Sequence, residues 1–384
     1  TRQVIKMKNM HIIYKKIIFT VYLLCFAVHT ETVNETARFL AGKGVPADSK
    51  LAEYVQSKFY AEYAGQVRSG WNRFLHPNLE SMRSWQKKYP PPVYSAVFYP
   101  FGGPDITNAL VLFPDAEEYL LFGLEPPGVI PDTESMQEES LTSGLNDLKL
   151  SVNTFFQVNF FITKKMEKSL GKKSFNTVTG LIIFFLAMNG CEVTDVKKIA
   201  VGPLSTAVPS RDSDDSIGWK NPPHSRVPGV EISFRRNSGR IQTVRYFMVN
   251  VSDEYLNRSS PNFLPYLKNG GRYATLIKSA AYLMHTDSSR EPPPHFDRIR
   301  RFILEQSDFI IQDDSGIPLR YFPRTEWKLG FHGKYESPIS IFADRLQKNL
   351  RMEMQKSSTG KLPFSYSYTY QAGKSNLMTA ERIK

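Results

Sequence analysis

Residues 93–126 read VYSAVFYPFGGPDITNALVLFPDAEEYLLFGLEP, and the order of element types in this stretch decides the fold class. VYSAVFYP (93–100) is a continuous apolar, aromatic-rich run of the kind a parallel sheet buries on both faces. FGGPD (101–105) turns the chain, ITNALVLF (106–113) suits a short helix, and EYLLFGLEP (118–126) suits a second strand. A strand, a short helix and another strand imply a right-handed parallel crossover. Ligands of such sheets sit beyond the carboxyl ends of the strands. Gly102, Gly103 and Glu125 would meet there. Pro104 could open the helix with Gly103 as its cap, but Asp105 has the better capping chemistry.

Upstream, Leu51, Tyr54, Val55, Phe59 and Tyr63 recur at helical spacing after Asp48 or Ser49 as cap, and Asn78–Tyr89 forms a second apolar-faced helix. Pro90–Pro92 stops it. Downstream, an acid-rich loop (131–143) leads to a helix from Leu145 to about Leu170, then to the buried helix TGLIIFFLAM (179–188). The polar, proline-broken stretch 205–228 suits a mobile loop. GVEISFRR and RIQTVRYFMVNV, joined at Asn237–Gly239, predict a hairpin. Helix, glycine turn and strand follow over 263–284; DRIRRFILEQS (297–307) is an amphipathic helix, and DFIIQDDSGIP (308–318) a strand running into a turn. The pattern predicts an α/β fold, a Rossmann-like three-layer structure on a parallel or mixed sheet. Residues 28–92 form an N-terminal helical extension, 93–371 a single α/β domain and 372–384 a tail.

Residues 1–16 carry five basic side chains and no acid, and Ile17–Val28 is almost wholly apolar. A cationic lead before a short apolar run is the pattern of an export signal, here residues 1–27 with cleavage after Ala27, or else of an uncleaved anchor. The expected location is periplasmic or extracellular, with membrane contact only through that leader. The net charge of +12 loses five basic residues with the leader. The remaining basic pairs are scattered and not arranged in a stripe with aromatic platforms, so no nucleic-acid partner is expected. With Cys25 in the leader, Cys191 stands alone and the core must hold the fold without a disulfide.

YPFGGPD, FPDAEEYLLFGLEPPG, KSAAYLMH, QDDSGIP and LPFSY together resemble a family of uncharacterised exported bacterial proteins, across most of residues 50–370. That resemblance implies localisation and one shared architecture, and brings no catalytic residue. More loosely, VFYPFGGPD followed by an acid ending the second strand, with LKNGGRYATLIKS further on, is similar to class I methyltransferases. This likeness implies a cofactor against Gly102 and Gly103, with Glu125 taking ribose hydroxyls. The turn departs from the dinucleotide fingerprint: it lacks G-x-G, and Pro104 removes an amide donor. Export also separates the chain from coenzymes kept inside cells. The expected state is therefore a fold without a working cofactor.

Other residue groups could carry chemistry. His285-Thr-Asp287 and His295-Phe-Asp297 set two imidazole–carboxylate pairs close together, a donor set suited to a zinc-like ion, though their spacing fits no known motif. Asp313 and Asp314 end a strand and could split their titrations, whereas a turn cap at Asp313 or Ser315 is the structural alternative. Asp105, His285, Asp313 and Asp314 are the catalytic candidates of a secreted, metal-assisted hydrolase, provided that they converge. The Tyr-rich PFSYSYTYQ (363–371) suits an edge strand or a glycan-stacking surface. The leading expectation is a non-catalytic envelope binding or scaffold protein, its partner a small molecule or an envelope component. The hydrolase and a methyltransferase-like enzyme are the alternatives.

Overall fold

The computed structural model describes residues 32–130, 132–161, 177–202, 207–209, 226–236, 239–289, 291–369 and 371–384. The expected leader, the far end of the helix placed at 145–170, most of the 205–228 loop and the turn residues Asn237 and Ser238 lie outside them. Among the described residues no helix is long and apolar enough to cross a membrane.

The stretch that opens the sequence analysis forms β1 (Ala96–Tyr99), α5 (Ile106–Leu112) and β2 (Glu118–Gly123), after four helices described below. β1 and β2 pair in parallel, Ala96 opposite Glu118 and Tyr99 opposite Leu121. Both strands alternate between two cores. Val97, Tyr99, Tyr119 and Leu121 point into one apolar cluster, and Ala96, Phe98, Leu120 and Phe122 into the other. A strand sends successive side chains to opposite faces, so burial on both sides explains the unbroken apolar run.

Around them lie β3 (Glu192–Val201), β4 (Ala207–Pro209), β5 (Val227–Arg235), β6 (Ile241–Met248), β7 (Tyr273–Ile277), β8 (Ser307–Gln312), β9 (Trp327–Gly333) and β10 (Asn376–Arg382). The sheet order is β4-β3-β5-β6-β2-β1-β7-β8-β10-β9. The central five, β6-β2-β1-β7-β8, are mutually parallel. By chain order these five run third, second, first, fourth, fifth, which is the doubly wound arrangement, with its switch point between β1 and β7. Antiparallel strands flank them: β5, β3 and β4 beyond β6, and β10 beyond β8. β9 pairs antiparallel with β10 at the far edge. The sheet is thus mixed, and the hairpin predicted across 229–251 is β5–β6.

One face is covered by α1 (Val33–Leu40), α3 (Lys58–Gly70), α4 (His76–Lys88), α5, α6 (Glu138–Val158) and α7 (Val178–Met188), with the single turn α2 (Ala52–Val55) beside them. The other carries α8 (Asp253–Arg258), α9 (Phe263–Asn269), α10 (Asp297–Gln306) and α11 (Lys348–Ser357). α1 begins with a capping box between Thr32 and Glu35. The helix read from Leu51 is split, because Ser57 caps a new start at Lys58 through Tyr60 N–H. α6 starts at Glu138, inside the expected loop, since two acids in its first turn favour a helix amino terminus. It stops at Asn159, which adopts a left-handed conformation.

Two expectations fail near the C-terminus. The described residues of PFSYSYTYQ form no edge strand; Tyr366–Thr369 make a turn closed by a bridge between Tyr366 and Thr369. The expected tail is β10, which lies inside the sheet between β8 and β9.

Candidate functional site

At the carboxyl ends of the parallel strands lies a cavity of about 400 Å³. The corner after β1 gives it Phe101, Gly102 and Gly103, and the end of β2 gives it Gly123 and Glu125. Asn250 after β6 and Ser279–Ala281 after β7 complete the sheet side, while Phe160, Phe161, Phe296 and Tyr368 wall it above. The sequence-predicted group Gly102, Gly103 and Glu125 is therefore brought together. Glu125 is 6% exposed, its Oε2 accepts Leu124 N–H at 3.1 Å, and its backbone carbonyl accepts the Tyr246 hydroxyl at 2.8 Å.

Gly102 has a steric reason, since a Cβ there would lie 2.8 Å from the Tyr99 ring. Left-handed backbone collects around the slot, at Phe101 (φ 67°), Ser279 (54°), Ala281 (51°) and Tyr282 (57°). Such conformations cost non-glycine residues of order 1–3 kcal/mol each and gather where surrounding structure enforces them. Tyr368 braces the turn after β7: its hydroxyl donates to the Ser279 carbonyl at 2.8 Å and accepts Ala281 N–H at 3.0 Å.

Beneath the floor lies a buried polar cluster. Asp105, 1% exposed, caps α5 by accepting Asn108 N–H at 3.3 Å. Capping thus falls to Asp105, not Gly103, and Pro104 precedes the cap. The Asp105 carboxylate also accepts the Tyr99 hydroxyl at 2.9 Å and the Asn108 amide at 2.7 Å. Its charged partner is Lys278, whose side chain is 0% exposed and whose Nζ stands 3.2 Å from Asp105 Oδ2. Lys278 also donates to the Asn159 carbonyl and lies over the Tyr366 ring. Burial lowers the Lys278 pKa below the usual lysine range, and the Asp105 carboxylate opposes that shift. Glycine corner, end of β7 and end of α6 are thereby tied together just before Phe160.

The remaining candidates do not gather at the slot. Asp313 forms a turn cap, accepting Ser315 N–H at 2.9 Å and Ser279 N–H at 3.0 Å. Asp314 binds the Tyr282 hydroxyl and the Asn376 amide. Burial raises both carboxyl pKa values, and for Asp313 the charge of Asp314 adds to the rise. His285 is buried against Tyr282, and desolvation pushes its pKa down to about 3. None of Asp105, His285, Asp313 and Asp314 lines the cavity. The proposed metal set is likewise dispersed. Asp287 holds Ser289, His295 pairs with Glu254 at 3.0 Å, and Asp297 pairs with Arg300. Among the described residues no group of three His, Cys, Asp or Glu could hold a metal ion. Local hydrogen-bonding partners win because each acid has a donor within a few residues or on a packed neighbour.

Sequence reasoning missed Lys278, Asn159, Phe160, Phe161 and Asn250, and marked Tyr368 only as part of a stretch suited to an edge strand or to stacking. One signal was available: Lys278 is a lone charge in the apolar run YATLIKSAAYLM, and a charge there needs a buried partner. No protein-family model matches the chain, and no curated protein matches it.

Proposed function

We propose that this chain is a Rossmann-like binding protein, acting outside the cytosol, whose slot takes a small nucleoside-like ligand with adjacent hydroxyls. One observation carries the reading: Gly102, Gly103 and Glu125, from two successive parallel strands, line one cavity at the carboxyl edge of the sheet. An acid ending the second strand of a doubly wound sheet suits a ribose diol, and the aromatic walls suit a flat ring. Export is supported by the cationic lead and the apolar run Ile17–Val28. The hydrolase alternative is not carried forward, because its acids and histidine stay out of the slot. A methyltransferase-like enzyme is the second reading, favoured by the position of the slot between Gly102 and Glu125.

Titration calorimetry with adenosine and with S-adenosylhomocysteine tests both. Adenosine binding that Glu125→Ala abolishes supports the binding protein. An affinity about 100-fold higher for the thioether, with methyl transfer to follow, moves the balance to the enzyme. No heat with either ligand ends both readings.

A further inference from the structure

We infer that Asp313 is a positioning residue of the slot: its carboxylate holds the ligand-facing turn after β7, so that ligand binding is linked to release of its proton. The inference rests on the binding reading above and adds to it how the slot is kept in shape.

The turn after β7 carries left-handed backbone at Ser279, Ala281 and Tyr282 (φ 54°, 51° and 57°), and Ser279–Ala281 form part of the slot wall. Residues other than glycine adopt that conformation only where neighbours enforce it. The turn after β8 supplies two of the holds. Asp313 Oδ2 accepts Ser279 N–H at 3.0 Å, and Ser315 Oγ accepts Ala280 N–H at 2.8 Å. Ser315 is itself fixed by Asp313 Oδ1, which accepts its N–H at 2.9 Å and its hydroxyl. One carboxylate therefore serves two successive amides of the wall, the first directly and the second through Ser315.

Asp313 is 2% exposed, and all three of these hydrogen bonds are donated to it. An ionised carboxylate only accepts and suits three donors, whereas a protonated one must turn a hydrogen towards one of them. Burial and the charge of Asp314 raise the Asp313 pKa, and the hydrogen bonds from Ser315 and Ser279 oppose the rise. Loosening the turn removes those bonds and leaves the carboxyl readier to take up a proton. A ligand that needs the turn in place must therefore bind more tightly as pH rises.

The charged and titratable groups facing Asp313 among the described residues come from four elements. They are Lys278 and Tyr282 on the held turn, Asp314 beside it, Tyr99 on β1, and Tyr366 and Tyr368 on the C-terminal turn. Burial raises all four tyrosines above their usual range, and Lys278 is paired with Asp105. His285, which meets the backbone of Asp314 and Gly316, is kept neutral by desolvation. The Asp314 carboxylate binds the Tyr282 hydroxyl and the Asn376 amide.

The test is calorimetric titration of adenosine into the whole chain between about pH 5 and pH 8, where adenosine itself does not ionise. Buffers of different ionisation enthalpy count the protons released. Affinity is expected to rise about ten-fold across the range, with up to about one proton released for each ligand bound. Asp313→Asn keeps the size of the side chain and has no proton to release, so its affinity is expected to stay level near the wild-type value at the acid end. The contribution of Asp313 to folding runs the other way and is lost as pH rises; a merely structural role would thus weaken binding on the alkaline side. Adenosine binding with level affinity and no proton release in the wild type would overturn this inference and leave the binding reading standing. So would proton release that persists in Asp313→Asn. Failure of adenosine to bind at any pH would remove the reading beneath it, and this inference with it. The wild-type titrations need no variant to fold.

Discussion

At the amino-terminal edge of β7 and β8, a cleft of about 550 Å³ runs among Arg272, Arg300, Arg301 and Arg382. At the opposite edge of β7 lies the slot of about 400 Å³, in which Glu125 is the one carboxylate among the described lining residues. The cleft is the more strongly charged, yet three of its four arginines are already occupied. Arg272 holds Asp308 and the Glu305 carbonyl, Arg300 holds Asp297 and the Met284 carbonyl, and Arg382 lies over Trp327 and bonds the Ser307 carbonyl. The Arg272 side chain is 43% exposed against 0% for Lys278. Exposed pairs are screened and contribute little, whereas a dry pair is costly to break. The comparison teaches that charge does not mark the site. What marks it is left-handed backbone held over a buried floor in which Asp105 and Lys278 pair.

The comparison can be broken most sharply at Lys278. Lys278→Met leaves Asp105 buried without its cation and is expected to destabilise the fold by about 3–5 kcal/mol, read by denaturant unfolding. Lys278→Met combined with Asp105→Asn should recover much of that loss. An equal loss in both would mean that the pair is mere packing.

A middle-sized effect concerns two buried histidines near the carboxyl edge. Desolvation pushes His285 down to about 3 and His332, packed against Trp85, down to about 4. With folded pKa values below the ordinary value near 6.5, the unfolded chain binds more protons between those limits, so stability falls as pH falls through that window. Each histidine is expected to remove about 2 kcal/mol between pH 7 and pH 5. Asp313 and Asp314 act with the opposite sign. Raised in the folded state, they give stability at low pH that is lost as pH rises. His332→Phe should flatten the acid limb of a stability profile by its share; an unchanged slope would show that another group sets it.

The smallest effect belongs to the other edge. Arg272→Gln is expected to cost under about 1 kcal/mol, and less at high salt, with ligand titrations unchanged. A loss of ligand affinity there would undo the contrast between the two ends.

The sequence made the central sheet legible because β1, β2 and β7 are buried on both faces and therefore read as apolar runs, and β8 shows the same double burial in Phe309–Ile311. Glu125 and the glycine corner were legible for a related reason: glycine and a strand-end acid declare themselves locally. Lys278 and Tyr368 were not, because their roles depend on partners 173 and 89 positions away in the chain. β9 escaped because its apolar residues are interrupted by Lys328, Gly330, His332 and Gly333, and β10 because LMTAER mixes polar and small residues. Pairing with neighbours, rather than propensity, makes both of them strands. The histidine and acid pairs misled because spacing along the chain carries no information about which donor each acid meets in the fold.

β10 enters the sheet between two strands made before it, and β9 pairs with no other strand among the described residues. A ribosome that has reached Tyr335 therefore carries β8 with one raw side and β9 with no partner at all. Both wait for synthesis of some forty further residues before the last ladder can close. During that interval the nascent chain exposes strand edges that invite pairing with other molecules. Chains cut short of Asn376 should accumulate as aggregates while the completed chain remains dispersed.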